Sequence, residues 1–441
     1  MIKKFGIASM GLLVLAVGYF LTLGSTQLMA EIKTQLQQEI TLLNSQGFGI
    51  QSKEISDKEH QYIVSIDAPQ KISTFLKSKG IELSIEDIAL FQGMTWGIDT
   101  QYIPNPSTSL VLDIYPLTLP SSILLASVSP KDKKVLAQIE TMLKKKTFLI
   151  HIEINSLLDG FIGHLKDIKE VLHVGEDINF TIEGLTFTGK LSDNKLSKVT
   201  QNVQKLLFHT VGQLEMKLEN FTSEYTFLGQ SYATHYTLEN LQFHSDKDIN
   251  ISVEHLTLDS DATLENNLSS FSFKTQIGSL DYIAPKYNTS LHNFYANFKA
   301  ENFDTNALVQ LENINPNNEK EVLAILQKLI SKGVHLEIPS LGVKEIIFNQ
   351  QTLKGFDFNS SFTIDKSLDL ASLQKNPMAV ITAMNAYLNL SLSSDIFTLL
   401  VQQPQATMAL MLFKPKDVKG KKVYEIKLRD AKLLVNGVPM M

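Results

Sequence analysis

Past residue 47 apolar and polar positions alternate along most of the chain, the period-two mark of strands with one buried face. HQYIVSID places Tyr62, Val64 and Ile66 on one side; TSLVLDIY does the same with Leu110, Leu112 and Ile114, and FLIHIEI with Phe148, Ile150, Ile152 and Ile154. INFTIEGLTF, QLEMKLENF, YTLENLQF, INISVEHLTL and FSFKTQI carry the alternation on through residue 277. The separators are rich in Asn, Asp, Ser and Gly, which supply turns, and connections this short join strands antiparallel. The pattern therefore predicts antiparallel meanders. The phrases IEGLTF, LENLQF and VEHLTL look alike. They read as one recurring solution to strand and turn rather than as a measured repeat.

Helical spacing interrupts the strands. PKDKKVLAQIETMLKKK puts Val135, Ile139, Met142 and Leu143 on one side, with Pro130 near its start and lysines in its last turn. NSLLDGFIGHLKDIKEVL has Leu157, Phe161, Leu165, Ile168 and Leu172 in helical register, weakened by Gly160 and Gly163. NNEKEVLAILQKLISKG has the cleanest stripe, Val322, Ile325, Leu326, Leu329 and Ile330, and Gly333 is placed for a left-handed cap. NPMAVITAMNAYL and SDIFTLLVQQ predict two further helices. The ending YEIKLRDAKLLVNGVPM reads as two strands around Arg429-Asp430 with a tight turn at Asn436-Gly437. The fold class expected is α+β and strand-rich: antiparallel meander sheets, forming a sandwich or an open curled groove, with several packing helices.

The first residues follow a different rule. From Phe5 to Gly24 there are twenty residues without a charge. At about 1.5 Å per residue a helix of that length spans about 30 Å, the hydrocarbon thickness of a bilayer. Lys3 and Lys4 flank its start, and the far flank carries no Lys or Arg until Lys33. That asymmetry predicts a single-pass signal-anchor with a cytoplasmic N-terminus and the bulk on the other side. The alternative is a cleaved signal and an exported soluble protein. Its best cut, Leu28-Met29-Ala30, puts a bulky Leu where a small residue is preferred. Next, Ile32, Leu36, Ile40 and Leu43 recur at helical spacing up to Asn44 and Gly47. They predict a membrane-proximal helix over 31–46 whose stripe packs on the body, with self-association as the alternative. The organisation expected is 1–30 tip and anchor, 31–46 helix, 47–312 strand-rich body, and 313–441 a helix-plus-strand part, with NINPNNEKE as the internal boundary.

Composition narrows the chemistry. The 441 residues carry a net charge of −6, so nothing points to nucleic acid, whose binding needs a basic surface. There is no Cys, hence no disulfide, no thiolate metal site, no Cys nucleophile and no lipid-modified N-terminal Cys. Arg429 is the sole Arg, and Lys is the poorer bidentate partner for carboxylate or phosphate.

The anchor, the strand-rich body and three stretches carry a likeness: NFDTNALVQL at 302–311, ILQKLISKGVHLEIPSLGVK at 325–344, and YEIKLRDAKLLVNGVPM at 424–440. Together they resemble the YdgA-like family of bacterial envelope proteins, a family of unknown function. QSKEISDKEHQY departs from it, lacking the Tyr-x-x-Gly turn the family tends to have after the first helix. The resemblance implies an inner-membrane protein with its bulk in the periplasm, and brings no catalytic residues.

Candidate chemistry is sparse. GLTFTGKL, Gly184 to Leu191, imitates a phosphate loop, but Leu191 stands where Ser or Thr must hold magnesium. His151 and Glu153 share a strand face, as do His235 and Thr237. No His pair lies four apart on a helix with a metalloprotease Glu, and no Gly-x-Ser-x-Gly elbow exists. No catalytic residue, cofactor or metal ligand is assigned. DINFT, DINIS, ENNLS and DFNSS each set an acid two residues before an Asn sequon, making Asn179, Asn250, Asn267 and Asn359 candidate N-glycosylation acceptors in surface loops. The functional expectation is a non-catalytic, inner-membrane-anchored scaffold or binding protein, with rows of Phe, Leu and Ile offering an apolar groove to a lipid or to another envelope protein. The alternative is an envelope hydrolase acting on a lipid or cell-wall substrate. A long apolar cleft favours the first; a compact pocket with a His–acid pair favours the second.

Overall fold

The computed structural model describes residues 38, 40–78, 84–103, 107–122, 130–157, 159–173, 176–192, 195–229, 231–312, 314, 318–372, 378–403 and 413–440. The expected anchor at 5–24 lies outside them, and no helix among the described residues is long and apolar enough to cross a membrane. The chain divides into two compact units, Met1–Thr222 and Ser223–Met441. The stretch 313–321 lies inside the second.

Unit 1 opens with a helical stretch at 40–45. Its Ile40 is buried in the main core and Leu43 packs on a second cluster, so this part of the expected helical stripe does face the body. The strands are β1 (Phe48–Ser56), β2 (Glu59–Ile66), β3 (Thr95–Tyr102), β4 (Thr108–Pro116), β5 (Ile150–Asn155), β6 (Gly160–Leu165), β7 (Ile168–His173), β8 (Asp177–Glu183), β9 (Thr186–Ser192) and β10 (Lys195–Thr210). β11 (Leu214–Leu228) contains the division between the units. The helices are α1 (Pro69–Ser78), α2 (Ile85–Ala89) and α3 (Pro130–Lys144). Each of β1 to β5 pairs antiparallel with the next. β6 then pairs with β9 and β7 with β8, and β10 pairs with both β8 and β9. The alternating residues line one face: Tyr62, Ile98, Leu110, Leu112, Ile114, Ile150, Ile152 and Ile154 form a single buried cluster. A second cluster, built from Ile72, Phe75 and Leu76 of α1 and Ile88 of α2, lies with Ile66 and Phe91.

One helix expected from sequence does not form. NSLLDGFIGHLKDIKEVL contains the strands β6 and β7. Its glycines carry the explanation. A Cβ on Gly163 would stand 2.4 Å from the Phe187 ring, and one on Gly189 would stand 2.1 Å from Phe161. The bare backbone positions receive aromatic rings from the paired strand, a sheet arrangement that a helical spacing of Leu and Ile cannot outweigh.

Unit 2 is a meander of longer strands: β12 (Ser231–Ser245), β13 (Ile249–Glu265), β14 (Leu268–Ala284), β15 (Tyr287–Asp304), β16 (Val334–Phe348), β17 (Gln351–Ile364) and β18 (Met384–Ser393), each antiparallel to the next. Then β18 pairs with β20 (Lys421–Arg429), which also pairs with β19 (Lys416–Val418) and β21 (Lys432–Val435), and β21 pairs with β22 (Val438–Pro439). Between β15 and β16 lie α4 (Thr305–Glu312) and α5 (Glu319–Ile330). α6 (Met378–Thr382) precedes β18, and α7 (Ser394–Val401) follows it. Asn318 caps α5 by accepting from Glu321 N, and Gly333 after it has φ +80°. Tight turns carry positive φ at both central residues: Asn266-Asn267, Asn349-Gln350, Asp430-Ala431 and Asn436-Gly437. The helix expected over NPMAVITAMNAYL stops at Thr382. Ala386 is claimed by Phe362 on one side and Leu428 on the other, and two-sided pairing makes the rest a strand.

Of the look-alike phrases, IEGLTF is a strand end and turn, with β8 ending at Glu183, Gly184 at φ 61° and β9 starting at Thr186, whereas LENLQF and VEHLTL are not. VEHLTL, for instance, lies inside β13 rather than at its end. The shared feature is apolar-x-x-apolar: Leu238…Leu241, Val253…Leu256, Ile277…Leu280, Leu291…Phe294, Val343…Ile346 and Leu353…Phe356. Each breaks the alternation by one residue, and a one-residue slip sends every later side chain to the other face. Left-handed backbone at His255 (φ 53°) and Asn293 (φ 53°) sits in these breaks. It undoes the slip, so Val253 and Leu256 are half-buried while Glu254 and His255 between them are exposed. The breaks align in register. Leu241, Val253, Leu280, Leu291, Ile346 and Leu353 pair in one row, and Leu238, Leu256, Ile277, Phe294, Val343 and Phe356 in the next.

Candidate functional site

In unit 2 the cross-strand partners Tyr232, Ala262, Phe271, Ala300, Leu336 and Phe362 form one row. Direct partners share a face. The adjacent row holds Thr234, Ser260, Phe273 and Phe298. The Leu336 end of this face is covered: Ile330 at the end of α5, Leu368 and Ala383 pack with Leu336, Phe303 and Ile364. Ile325 and Leu329 of α5 pack with Ala307 of α4 and again with Phe303. The other end is open. Tyr232 is 46% exposed, Phe271 and Phe273 37%, and Phe298 39%. Four adjoining aromatics left this open in mid-sheet are an apolar patch of the kind that marks an interaction site. Between the ridges, Ala262 and Ala300 are buried by their larger neighbours.

Apart from this face, unit 2 holds a polar trio. Tyr295 leans across Gly342, where a Cβ would meet its hydroxyl at 2.4 Å. It donates to Asp357, which also accepts from Lys421 Nζ at 2.7 Å. Burial, then the hydrogen bond to Asp357 and that carboxylate's charge, push Tyr295 up to about 12. Burial would raise Asp357, but Lys421 and Tyr295 together hold it below the usual carboxylate range.

Unit 1 carries the nearest thing to a catalytic constellation. Gln61, Asp99, Asp113, His151 and His164 are successive register partners across five strands. They stand on the face opposite the core, because they alternate with Tyr62, Ile98, Ile114 and Ile150. Asp99 accepts from Gln61 Nε2 at 2.9 Å, Tyr115 Oη at 3.0 Å and Lys146 Nζ at 2.8 Å. Lys146 Nζ also lies 3.7 Å from the Tyr115 ring centroid. His151 Nδ1 is 2.8 Å from Asp113 Oδ1, and its Nε2 is 3.5 Å from Glu153 Oε1. The His151 and His164 rings are 5.1 Å apart. His151 is thus hydrogen-bonded through Nδ1 to Asp113, while its Nε2 lies beside the exposed Glu153 carboxylate. Among the described residues no three His, Asp or Glu groups are grouped to hold a metal ion.

The Asp99 cluster makes a pH prediction. Burial alone would raise its pKa, but Lys146, Gln61 and Tyr115 lower it overall. A folded pKa below the unfolded value contributes stability that is present above the unfolded value, about 4, and lost as pH falls through the folded one. Thermal melts should therefore lose stability on acidification below about pH 4, and Asp99→Asn should lower the neutral-pH melting temperature and flatten that acid-side loss. A variant with an unchanged acid-side slope would contradict the assignment.

The sequence-derived candidates scatter. Asn179 lies in β8 opposite His209, Asn250 in β13 opposite His244, and Asn359 in β17 opposite Asn389. Asn267 is exposed at the β13–β14 turn, with φ 64° and its Nδ2 3.4 Å from Asp304 Oδ2. The surface-loop setting an acceptor needs is present at Asn267. The false phosphate loop is β9 preceded by a left-handed Gly184, φ +61°. His151 and Glu153, paired from sequence by face, do meet. His235 and Thr237 stand two apart in β12, and His235 pairs with Asp259 at 2.5 Å. Sequence reading missed the open aromatic patch, whose signal was the large–small exchange of Tyr, Ala and Phe on neighbouring strands.

The geometry defines a strand-rich α+β protein with long antiparallel strands and a partly uncovered apolar sheet face. A family model for bacterial proteins of unknown function, DUF945, matches residues 120–427. The chain belongs to that family. No curated protein and no solved structure matches it.

Proposed function

We propose that this is a non-catalytic binding or scaffold protein of the bacterial envelope, held in the inner membrane by residues 5–24 with its bulk in the periplasm. Its working surface is the open apolar face of unit 2, which takes a lipid or a hydrophobic partner segment. The observation that carries this reading is the patch of Tyr232, Phe271, Phe273 and Phe298, exposed in the middle of a sheet. The uncharged run at 5–24 and the likeness to YdgA-like envelope proteins support the location. The net charge of −6 speaks against a nucleic-acid partner.

Two measurements test it. Fractionation of cells expressing the full chain should leave it in the membrane after carbonate washing, with the bulk open to protease in spheroplasts; a soluble product beginning near residue 30 would overturn the anchor. Gentle detergent extraction followed by mass spectrometry should recover a lipid or protein with the wild-type chain. Phe273→Asp/Phe298→Asp should lose it, and equal recovery from both would overturn the assigned face.

A further inference from the structure

We infer that α3 is an acid-released strap: the tie from Lys146 to Asp99 holds the helix on unit 1 at neutral pH against backbone strain at Lys146, and protonating Asp99 lets the helix lift while the sheet stays folded. This goes beyond the binding reading and does not depend on it. α3 ends in the two bonds of a Schellman motif, Lys146 N to Leu143 O at 2.9 Å and Thr147 N to Met142 O at 3.0 Å. They leave Lys146 left-handed, with φ 50°. Glycine takes that conformation freely, whereas a residue with a Cβ is strained in it. The lysine side chain supplies what a glycine could not. Its Nζ donates to Asp99 Oδ2 at 2.8 Å and lies 3.7 Å from the centroid of the Tyr115 ring. That ring lies against Gly97, where a Cβ would meet it at 2.5 Å.

The rest of the helix is held more lightly. Met142 and Leu143 in its last turn are buried, but Val135, Leu136 and Ile139 are only half-buried. Among the described residues none of the five joins the two core clusters of unit 1. Farther up the helix, Gln138 Oε1 accepts from His173 N of β7 at 3.0 Å. The clasp at the C-terminal end is the charged hold, and it depends on Asp99. The groups facing Asp99 are Gln61 on β2, Tyr115 and Asp113 on β4, and Lys146. Asp113 has its own partner in His151 Nδ1, at 2.8 Å. A protonated Asp99 keeps neutral hydrogen bonds to Gln61 and Tyr115 but no longer forms an ion pair with Lys146. Burial alone would raise Asp99, but Lys146, Gln61 and Tyr115 hold it below the usual carboxylate range. The clasp is therefore whole above about pH 4 and is lost as pH falls through the lower folded value. Once the ion pair is gone, nothing offsets the left-handed strain at Lys146, and the half-buried helix opens before the sheet.

The test is hydrogen exchange read by mass spectrometry on the full chain in detergent, with rates corrected for the intrinsic effect of pH. At pH 3, peptides covering 130–147 should exchange several-fold faster than at pH 7, while peptides of β4 and β5 stay protected over the same labelling time. At pH 7, Asp99→Asn should speed exchange of 130–147 by about tenfold. Lys146→Met removes the same tie from the other side, should Asp99→Asn fold poorly. Lys146→Gly separates the clasp from the strain, because it removes both. Its 130–147 peptides should be less protected than in the wild-type chain. Equal or greater protection in Lys146→Gly would overturn the clasp. So would joint opening of α3 with β4 and β5 at pH 3, or protection of 130–147 unchanged by acid and by the folded variants. Each readout is taken without ligand, so the strap stands or fails apart from the binding face.

Discussion

Replacing Gly355 by alanine should be the most damaging single-methyl change in unit 2. Gly355 is buried where the alternation of β17 breaks, between Leu353 and Phe356. An added Cβ would lie 1.6 Å from Val343 O and 2.5 Å from Val343 C. Both are backbone atoms of the paired strand β16, so no rotamer change relieves the overlap. Inserting a methyl into packed structure costs about 1–3 kcal/mol and more where nothing can move, and this site belongs at or above the top of that range. For a unit of this size each kcal/mol lowers the melting temperature by about 2–4 °C, so a drop near 10 °C is expected by calorimetry. Gly212→Asn is the control. Gly212 has φ +71° but nothing within 4 Å, and Asn tolerates left-handed backbone, so its melt should barely move. Equal effects at the two positions would show that the aligned break in the strands is not a packed feature.

Leu112→Ala should cost unit 1 about 2–5 kcal/mol, the range for a core leucine whose cavity cannot collapse. Leu112 is wholly buried in the cluster with Tyr62, Ile98 and Ile152, and it sits between strands paired on both sides. Ile162→Ala on the opposite face of the same sheet is the comparison, because Ile162 is 64% exposed. Surface changes of that kind stay within about 0.5 kcal/mol. Urea unfolding of the two variants should separate them by midpoint with unchanged slope. A small loss at Leu112 would mean that the alternating residues do not form the core described.

The site followed a different path from sequence to structure than the fold did. His151 and Glu153 were legible as neighbours because residues two apart on a strand share a face. That Asp113 sits at the other ring nitrogen required the β4–β5 register, which no local pattern encodes. The exposed aromatics were visible as Phe and Tyr in alternating strands, but alternation says only that a face is apolar. Whether another element covers it depends on where α4, α5, Leu368 and Ala383 pack, and they stop at Leu336 and Phe303.

The sequence by itself determined the strand-rich α+β class, the core face of β2, β4 and β5, the helices α3, α5 and α7, and the turn at Asn436-Gly437, and it placed the preceding turn one residue early, at Arg429-Asp430 instead of Asp430-Ala431. All of these rest on interactions within a few residues: period, capping and left-handed turn residues. Tertiary structure decided the rest. It turned the Gly160–Leu172 stretch into two strands by setting aromatic rings over bare glycines. It made IEGLTF a strand end and turn but set LENLQF, VEHLTL and the other apolar-x-x-apolar breaks of unit 2 into one aligned break across a sheet. It also chose which apolar surface stays open to a ligand, since register and coverage are relations between segments far apart in the chain.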